Sequence, residues 1–113
     1  MIKKAGIGLI CICAACIIAT SAAVADEGEA IFKSQGCISC HTKAGASKVN
    51  PSLTELSQAY QGKEEQLVNY LKGESEPIVR PEKADLMKRQ IEKTKALSDS
   101  DRKNLADYLL RQQ

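Results

Sequence analysis

The chain has 113 residues, which is enough for one domain, and it carries a formal net charge of +2. Both extra positive charges lie at Lys3 and Lys4, so residues 26–113 are formally neutral, with 14 basic and 14 acidic side chains. A neutral domain without a basic stripe is not expected to bind nucleic acid. The same residues hold no Trp, one Phe and three Tyr, which is few for the core of a domain of this size.

The first 25 residues have the pattern of an export signal. Two lysines precede 21 uncharged residues, and Ala23-Val24-Ala25 fits the small-x-small motif of a signal-peptidase site. We therefore predict a signal peptide over residues 1–25 and a mature domain over residues 26–113 that is exported to the periplasm and has no membrane span. Two alternatives stay open. The uncharged stretch is long enough to remain as a membrane anchor, and Cys16 follows two alanines, as in some acylation sites.

Helical periodicity recurs along residues 26–113, and the alternation typical of strands is missing. Glycines, prolines and one serine mark the expected boundaries. In chain order we expect a helix over about 28–35 that ends at Gly36, a helix that follows Pro51 and ends at Gly62, a helix over about 63–72 that ends at Gly73, a loop over 74–80, a short helix that starts at Pro81, and a last helix capped by Ser98.

Each expected helix carries apolar residues. Shared faces hold Gly28 and Phe32; Leu53, Leu56 and Tyr60; Leu67 and Leu71; and Leu105, Tyr108 and Leu109, and the short helix that starts at Pro81 carries Leu86, Met87 and Ile91. An all-α domain of four to five short helices follows from this pattern.

The pentapeptide Cys37-Ile38-Ser39-Cys40-His41 follows the first expected helix, and C-x-x-C-H is the attachment signature of c-type haem. Two residues between the cysteines allow one helical turn to present both thiols to the vinyl groups of a porphyrin. The next residue then directs an imidazole to the iron. We therefore predict one covalent haem c, bound through Cys37 and Cys40, with His41 as the proximal iron ligand. A large apolar cofactor also explains the sparse core, since burial of ~400 Å² of macrocycle contributes on the order of 10 kcal/mol.

Three other interpretations of this motif are weaker. A thioredoxin-like dithiol needs a βαβ context, which the sequence lacks. A structural zinc site needs four ligands, whereas residues 26–113 offer only Cys37, Cys40 and His41, and the chain contains no second His. A simple disulfide is the third.

The second axial position of the iron cannot be filled by another imidazole of this chain, because the chain has one His. Met87 is the only methionine besides the initiator. A thioether suits ferrous iron and raises the reduction potential, as in electron-transfer cytochromes. We predict Met87 as the distal ligand. The alternatives are adaptable core packing by Met87, ligation by Lys83 or Lys88, and an open five-coordinate site.

With these motifs the chain resembles the small monohaem bacterial class I cytochromes c, over the whole of residues 26–113. The resemblance implies the class I cytochrome c fold, in which short helices surround one covalent haem and the first and last helices cross. It implies that Gly28 and Phe32 pack against Leu105 and Tyr108 at this crossing.

The resemblance also implies contacts around the haem. The carbonyl of Pro51 is expected to accept a hydrogen bond from Nδ1–H of His41 and so to orient the ring. Relatives often bind a haem propionate through a Trp or an Arg. Because this chain has no Trp, Arg80, Tyr60 and Tyr70 are the candidates for that role.

The function implied by the resemblance is that of an electron carrier and not of an enzyme. A monomer would move one electron at a time between periplasmic or membrane-bound redox partner proteins. Between Lys83 and Lys95 the chain holds five basic and two acidic residues, a pattern that fits either acidic partner surfaces or a solvated helix face. Two alternative functions keep the haem: an electron-entry subunit of a larger redox complex, and a gas sensor with a labile sixth site.

Overall fold

The structure is a computed structural model that describes residues 20–45 and 50–112. Within these ranges the chain forms five α-helices, two 3-10 turns and no strand. The helices are α1 (Thr20–Ser34), α2 (Leu53–Ala59), α3 (Glu64–Leu71), α4 (Ala84–Lys95) and α5 (Asp99–Leu110), and the 3-10 turns are Cys37–Ser39 and Pro81–Lys83. The predicted all-α fold class is confirmed.

Most of the predicted signal peptide, residues 1–19 with Cys16, lies outside the described residues. Helix α1 begins at Thr20, eight residues before its expected start. The predicted start was wrong because residues 20–27 are rich in Ala and contain neither Gly nor Pro, so nothing in them ends a helix. None of the helices in the described part of the chain is both long enough and apolar enough to cross a bilayer.

The other helix ends follow the predicted signals. Gly62 and Gly73 have φ angles of 71° and 77°, a left-handed conformation that glycine adopts without a Cβ clash. The Ser98 hydroxyl accepts a hydrogen bond of 3.0 Å from the backbone N–H of Asp101, which caps α5 as expected. Short local signals of this kind therefore located the helix ends well.

Helices α1 and α5 cross at Gly28. A Cβ at this position would lie 2.6 Å from Cβ of Tyr108 and would overlap the carbonyl of Asn104, so only glycine permits this approach. Phe32 packs on Tyr108 with ring centroids 5.4 Å apart and an interplanar angle of 50°. Leu105, 1 % exposed, belongs to the same core cluster. The predicted packing of Gly28 and Phe32 against α5 is confirmed.

Helix α4 contributes little to this core. Of its twelve residues, Ile91 and Thr94 are buried, and both lie in its second half. Leu86, an apolar residue of this helix, is 59 % exposed. Met87 and Ile91 share a face at i, i+4 spacing, and Leu86 lies about 100° away from Met87 around the helix.

The C-terminal end of α4 is held by side chains that the sequence pattern did not single out. Arg102 is buried and donates hydrogen bonds to the carbonyls of Thr94, Lys95 and Leu97, at 3.1, 2.9 and 2.6 Å. Because the last carbonyls of a helix lack their i+4 N–H partners, the guanidinium adds hydrogen bonds at the end of α4 and in the turn that follows it. The Thr94 hydroxyl also donates a bond of 2.6 Å to the carbonyl of Leu71 in α3.

Candidate functional site

The five helices surround a cavity of 650 Å³. A space of this size far exceeds the voids of a packed core and lies within the range of ligand and cofactor pockets. Its wall is mainly apolar and includes Phe32, Leu56, Leu67, Leu71, Leu105 and Leu109. The low aromatic content noted in the sequence is therefore accompanied by a core whose apolar residues line a cavity.

All four predicted site residues line this one cavity: Cys37, Cys40, His41 and Met87. The cysteines lie on a tight turn, since the backbone N–H groups of Cys40 and His41 both donate to the carbonyl of Cys37, at 3.2 and 3.0 Å. The turn thus has the local geometry that the motif predicts, with Cys37, Cys40 and His41 on a single helical turn.

His41 is 8 % exposed, and its Nδ1 lies 2.8 Å from the carbonyl oxygen of Pro51. Because a carbonyl can only accept, Nδ1 carries the proton, and in the neutral ring Nε2 keeps its lone pair for a metal. The contact between His41 and Pro51 implied by the resemblance is confirmed.

The Cys37 thiol does not resemble the reactive thiol of a redox dithiol. In the described part of the chain neither Cys37 nor Cys40 takes part in a disulfide. Burial raises the pKa of the Cys37 thiol above its ordinary value, whereas catalytic dithiols depend on a lowered pKa.

Met87 is half-buried on α4. Of the two lysines considered as alternative iron ligands, Lys83 also lines the cavity. Lys88 is absent from the cavity wall and forms an ion pair of 2.6 Å with Asp85. Met87 and Lys83 are therefore the two candidates that the fold brings to the site.

Tyr60, Tyr70 and Arg80, the three candidates for propionate binding, also line the cavity. Burial is the main cause that raises the pKa of Tyr70 to about 12, and Tyr60 and Glu76 add to it electrostatically. One part of the wall is therefore polar.

Tyr60 supplies a direct test of whether a haem fits. Its side chain is 2 % exposed, and its buried hydroxyl meets no hydrogen-bond partner among the described residues. The backbone of Ile78 lies close enough to lower the pKa of the phenol, while burial raises it more. A buried donor without an acceptor is costly, and a haem carboxylate would satisfy it.

Arg80 is engaged with a residue that the sequence did not indicate. Its Nη2 lies 3.0 Å from Oε2 of Glu55 and its Nε 3.3 Å from Oε1. The two residues are 25 positions apart and belong to no motif, so only the tertiary structure reveals their pairing.

Comparison with known proteins agrees with this geometry. The Cytochrome c family model matches residues 25–113, and the chain belongs to the cytochrome c family. It is thus a small class I c-type cytochrome whose cofactor is covalently bound haem c, and its family membership supports an electron-carrier role.

Among curated proteins, the chain is similar to the cytochrome c-553 of Nitratidesulfovibrio vulgaris (strain DSM 19637 / Miyazaki F). The two are 33 % identical over 99 residues, which cover 87 % of this chain and 88 % of that relative. The predicted family, fold class and cofactor are confirmed.

Proposed function

We propose that this protein is a periplasmic one-electron carrier in which Cys37 and Cys40 hold haem c through two thioethers. His41 is the proximal ligand of the iron and Met87 the distal ligand. Residues 1–25 act as the signal peptide, and the mature chain transfers electrons between periplasmic or membrane-bound redox proteins.

One observation carries this proposal. The C-x-x-C-H turn and the single available methionine line the same apolar cavity, and the imidazole is oriented by Pro51 with Nδ1 as its donor. A dithiol or zinc site would not require this cavity. The orphaned hydroxyl of Tyr60 adds a polar group suited to a haem carboxylate.

The chemistry that the haem supplies is an iron that changes between the ferrous and ferric states. The protein holds the imidazole of His41 through Pro51 and keeps the thioether of Met87 on a helix, so little reorganisation is needed when the charge changes. The apolar wall excludes water from the ring. If His41 and Met87 both held the iron, no coordination position would remain for a substrate, as a carrier requires.

The mouth of the cavity indicates the kind of partner. The segment from Lys83 to Lys95 holds five basic and two acidic residues. The two acidic residues form ion pairs with two of the basic ones, as Asp85–Lys88 and Glu92–Lys95. Among the described residues, the other three form no ion pair: Lys83, Arg89 and Lys93. Lys83 and Lys93 line the cavity together with the exposed Leu86. We infer that this basic face meets acidic surfaces on redox partners.

An optical redox titration of the mature protein tests the proposal. We expect a single one-electron transition, and in the ferric form the weak long-wavelength band of an iron–thioether bond. Met87→Leu is expected to lose this band, to lower the reduction potential and to bind carbon monoxide in the ferrous form. If the unmodified protein lacks the band and binds carbon monoxide readily, the gas-sensor alternative is correct.

A further inference from the structure

The first turn of α2 contacts both segments that carry the proposed iron ligands. On the His41 side, Leu53 N–H donates to the carbonyl of Thr42 at 2.8 Å. The backbone N–H and the hydroxyl of Thr54 both donate to the carbonyl of Lys43, at 3.2 and 2.9 Å. Together with the bond from His41 to Pro51, these contacts fix the segment that follows the C-x-x-C-H turn.

On the other side, the same turn of α2 holds the start of the Met87 segment. Glu55 lies at the third position of α2, where its backbone N–H is bonded to the Ser52 cap at 3.1 Å. Its carboxylate receives Nε and Nη2 of Arg80 in the two-point arrangement that suits a guanidinium. The side chains are 20 % exposed for Arg80 and 37 % for Glu55, so the pair is partly shielded from water.

Arg80 has an unusual backbone. With φ 48° and ψ 58° it is the only non-glycine residue with positive φ in the described part of the chain. A left-handed conformation is unfavourable for a residue with a Cβ and persists only where other contacts impose it. The two bonds to Glu55 are such contacts.

The conformation of Arg80 sets the direction of α4. Pro81 follows with its fixed φ, Lys83 N–H donates to the Arg80 carbonyl at 2.9 Å, and the turn continues into α4 without interruption. Both buried residues of α4 lie in its second half. The first half, which carries Met87, therefore depends on the segment that precedes it.

We propose that Glu55 is a positioning residue for the electron-transfer site. By holding Arg80 it fixes the first half of α4, so that Met87 stays in register with His41, whose following segment is bonded to the same turn of α2. This proposal rests on the assignment of His41 and Met87 as iron ligands.

The test uses the ferric holoprotein with Glu55→Gln, which removes the charge and keeps the shape. We measure the rate at which added imidazole displaces the thioether. The loss of the iron–thioether band reports this displacement. A rate about tenfold higher than in the unmodified protein is expected, since bonds to charged groups are the strong ones. Glu64→Gln is the matched control. It breaks the 3.1 Å pair with Lys103 between α3 and α5, which lies outside the cavity, and should leave the rate unchanged.

Combination with Arg80→Gly tests whether Glu55 acts through Arg80. Glycine adopts positive φ without strain, so the segment no longer depends on the carboxylate. In the Arg80→Gly background, Glu55→Gln should therefore have no further effect on the rate. Arg80→Lys keeps the charge and loses the two-point contact, so its displacement rate should resemble that of Glu55→Gln. It replaces Glu55→Gln in the test if the Glu55→Gln protein does not accumulate.

Two results would overturn the positioning role: a Glu55→Gln rate equal to that of Glu64→Gln, or an undiminished effect of Glu55→Gln beside Arg80→Gly. Failure of the proposed function looks different, because the unmodified protein would then lack the iron–thioether band from the outset.

Discussion

The α1–α5 crossing and the cavity are built in opposite ways. At the crossing, the backbone of Asn104 and Cβ of Tyr108 lie so close to Gly28 that a Cβ there has no room, and Ala106 of α5 is 0 % exposed. At the cavity, apolar side chains from all five helices face a volume of 650 Å³. The first half of α4, which borders that volume, buries no residue.

The two regions obtain their stability from different sources. The crossing is complete with the chain's own atoms, because a packed interior needs no further partner. The cavity wall gains its dispersion contacts and apolar burial only when a large cofactor fills it. We therefore expect the crossing to respond to changes of side-chain volume and the cavity to respond to changes in the cofactor and its contacts.

The largest effect is expected from preventing haem attachment with Cys37→Ala and Cys40→Ala together. Loss of ~10 kcal/mol of apolar burial is comparable with the whole stability of a small domain, about 5–15 kcal/mol. Circular dichroism should show a largely unfolded chain, and hydrogen exchange should show α4 unprotected. Native-like protection of α4 in this variant would mean that the two regions do not differ as described.

Volume added at the crossing should have the next largest effect. Gly28→Leu is expected to lower the free energy of unfolding of the holoprotein by about 3 kcal/mol, because the backbones must separate. Ala30→Leu places the same side chain on the exposed face of α1 and should change it by less than about 0.5 kcal/mol. Guanidinium titrations compare the two, and equal stabilities would refute the close packing.

Tyr60→Phe measures the polar part of the cavity. If a haem carboxylate accepts the buried hydroxyl, the holoprotein should lose about 2 kcal/mol of stability, since bonds to charged groups contribute ~1.5–3 kcal/mol. Tyr108→Phe, the same change at the crossing, should be nearly neutral. If the hydroxyl stays unbonded in the holoprotein, Tyr60→Phe should leave its stability unchanged or raise it.

Alkaline pH should lower the free energy of unfolding through Tyr70, which lines the cavity. Its pKa is raised from its ordinary value of 10 to about 12, mainly by burial. Between pH 10 and 12 the folded state therefore binds more protons than the unfolded state, and the free energy of unfolding falls as the pH rises. Tyr70→Phe should show less of this decline in unfolding experiments above pH 10, and an unchanged decline would assign it to other groups.

The smallest effect concerns the basic face at the cavity mouth. Electron-transfer rates to acidic partners should fall as ionic strength rises, because salt screens the attraction. Lys93→Gln, at the cavity, should reduce both the rate at low salt and its salt dependence. Lys63→Gln, an exposed change away from the cavity, is the control. Rates that do not vary with salt would exclude electrostatic docking.

Local signals in the sequence predicted much of this architecture. The C-x-x-C-H turn is encoded in five consecutive residues, and Gly62, Gly73 and Ser98 act on the helix ends beside them. Features that depend on a few neighbouring residues are thus open to sequence reasoning.

Contacts between distant residues were not predictable in this way. The pairing of Glu55 with Arg80 joins charges that resemble any other exposed charges in the sequence. The orphaned hydroxyl of Tyr60 was one of three equal candidates until its surroundings were known. In each case the decisive property is the environment and not the residue type.

The most direct test of covalent haem attachment is the mass of the denatured mature protein and of its proteolytic peptides. We predict that the chain carries the added mass of one haem and that this mass lies on the peptide that contains residues 37–41. A peptide with two unmodified thiols, together with colour that passes into acidic organic solvent, would contradict the covalent site on which the account depends.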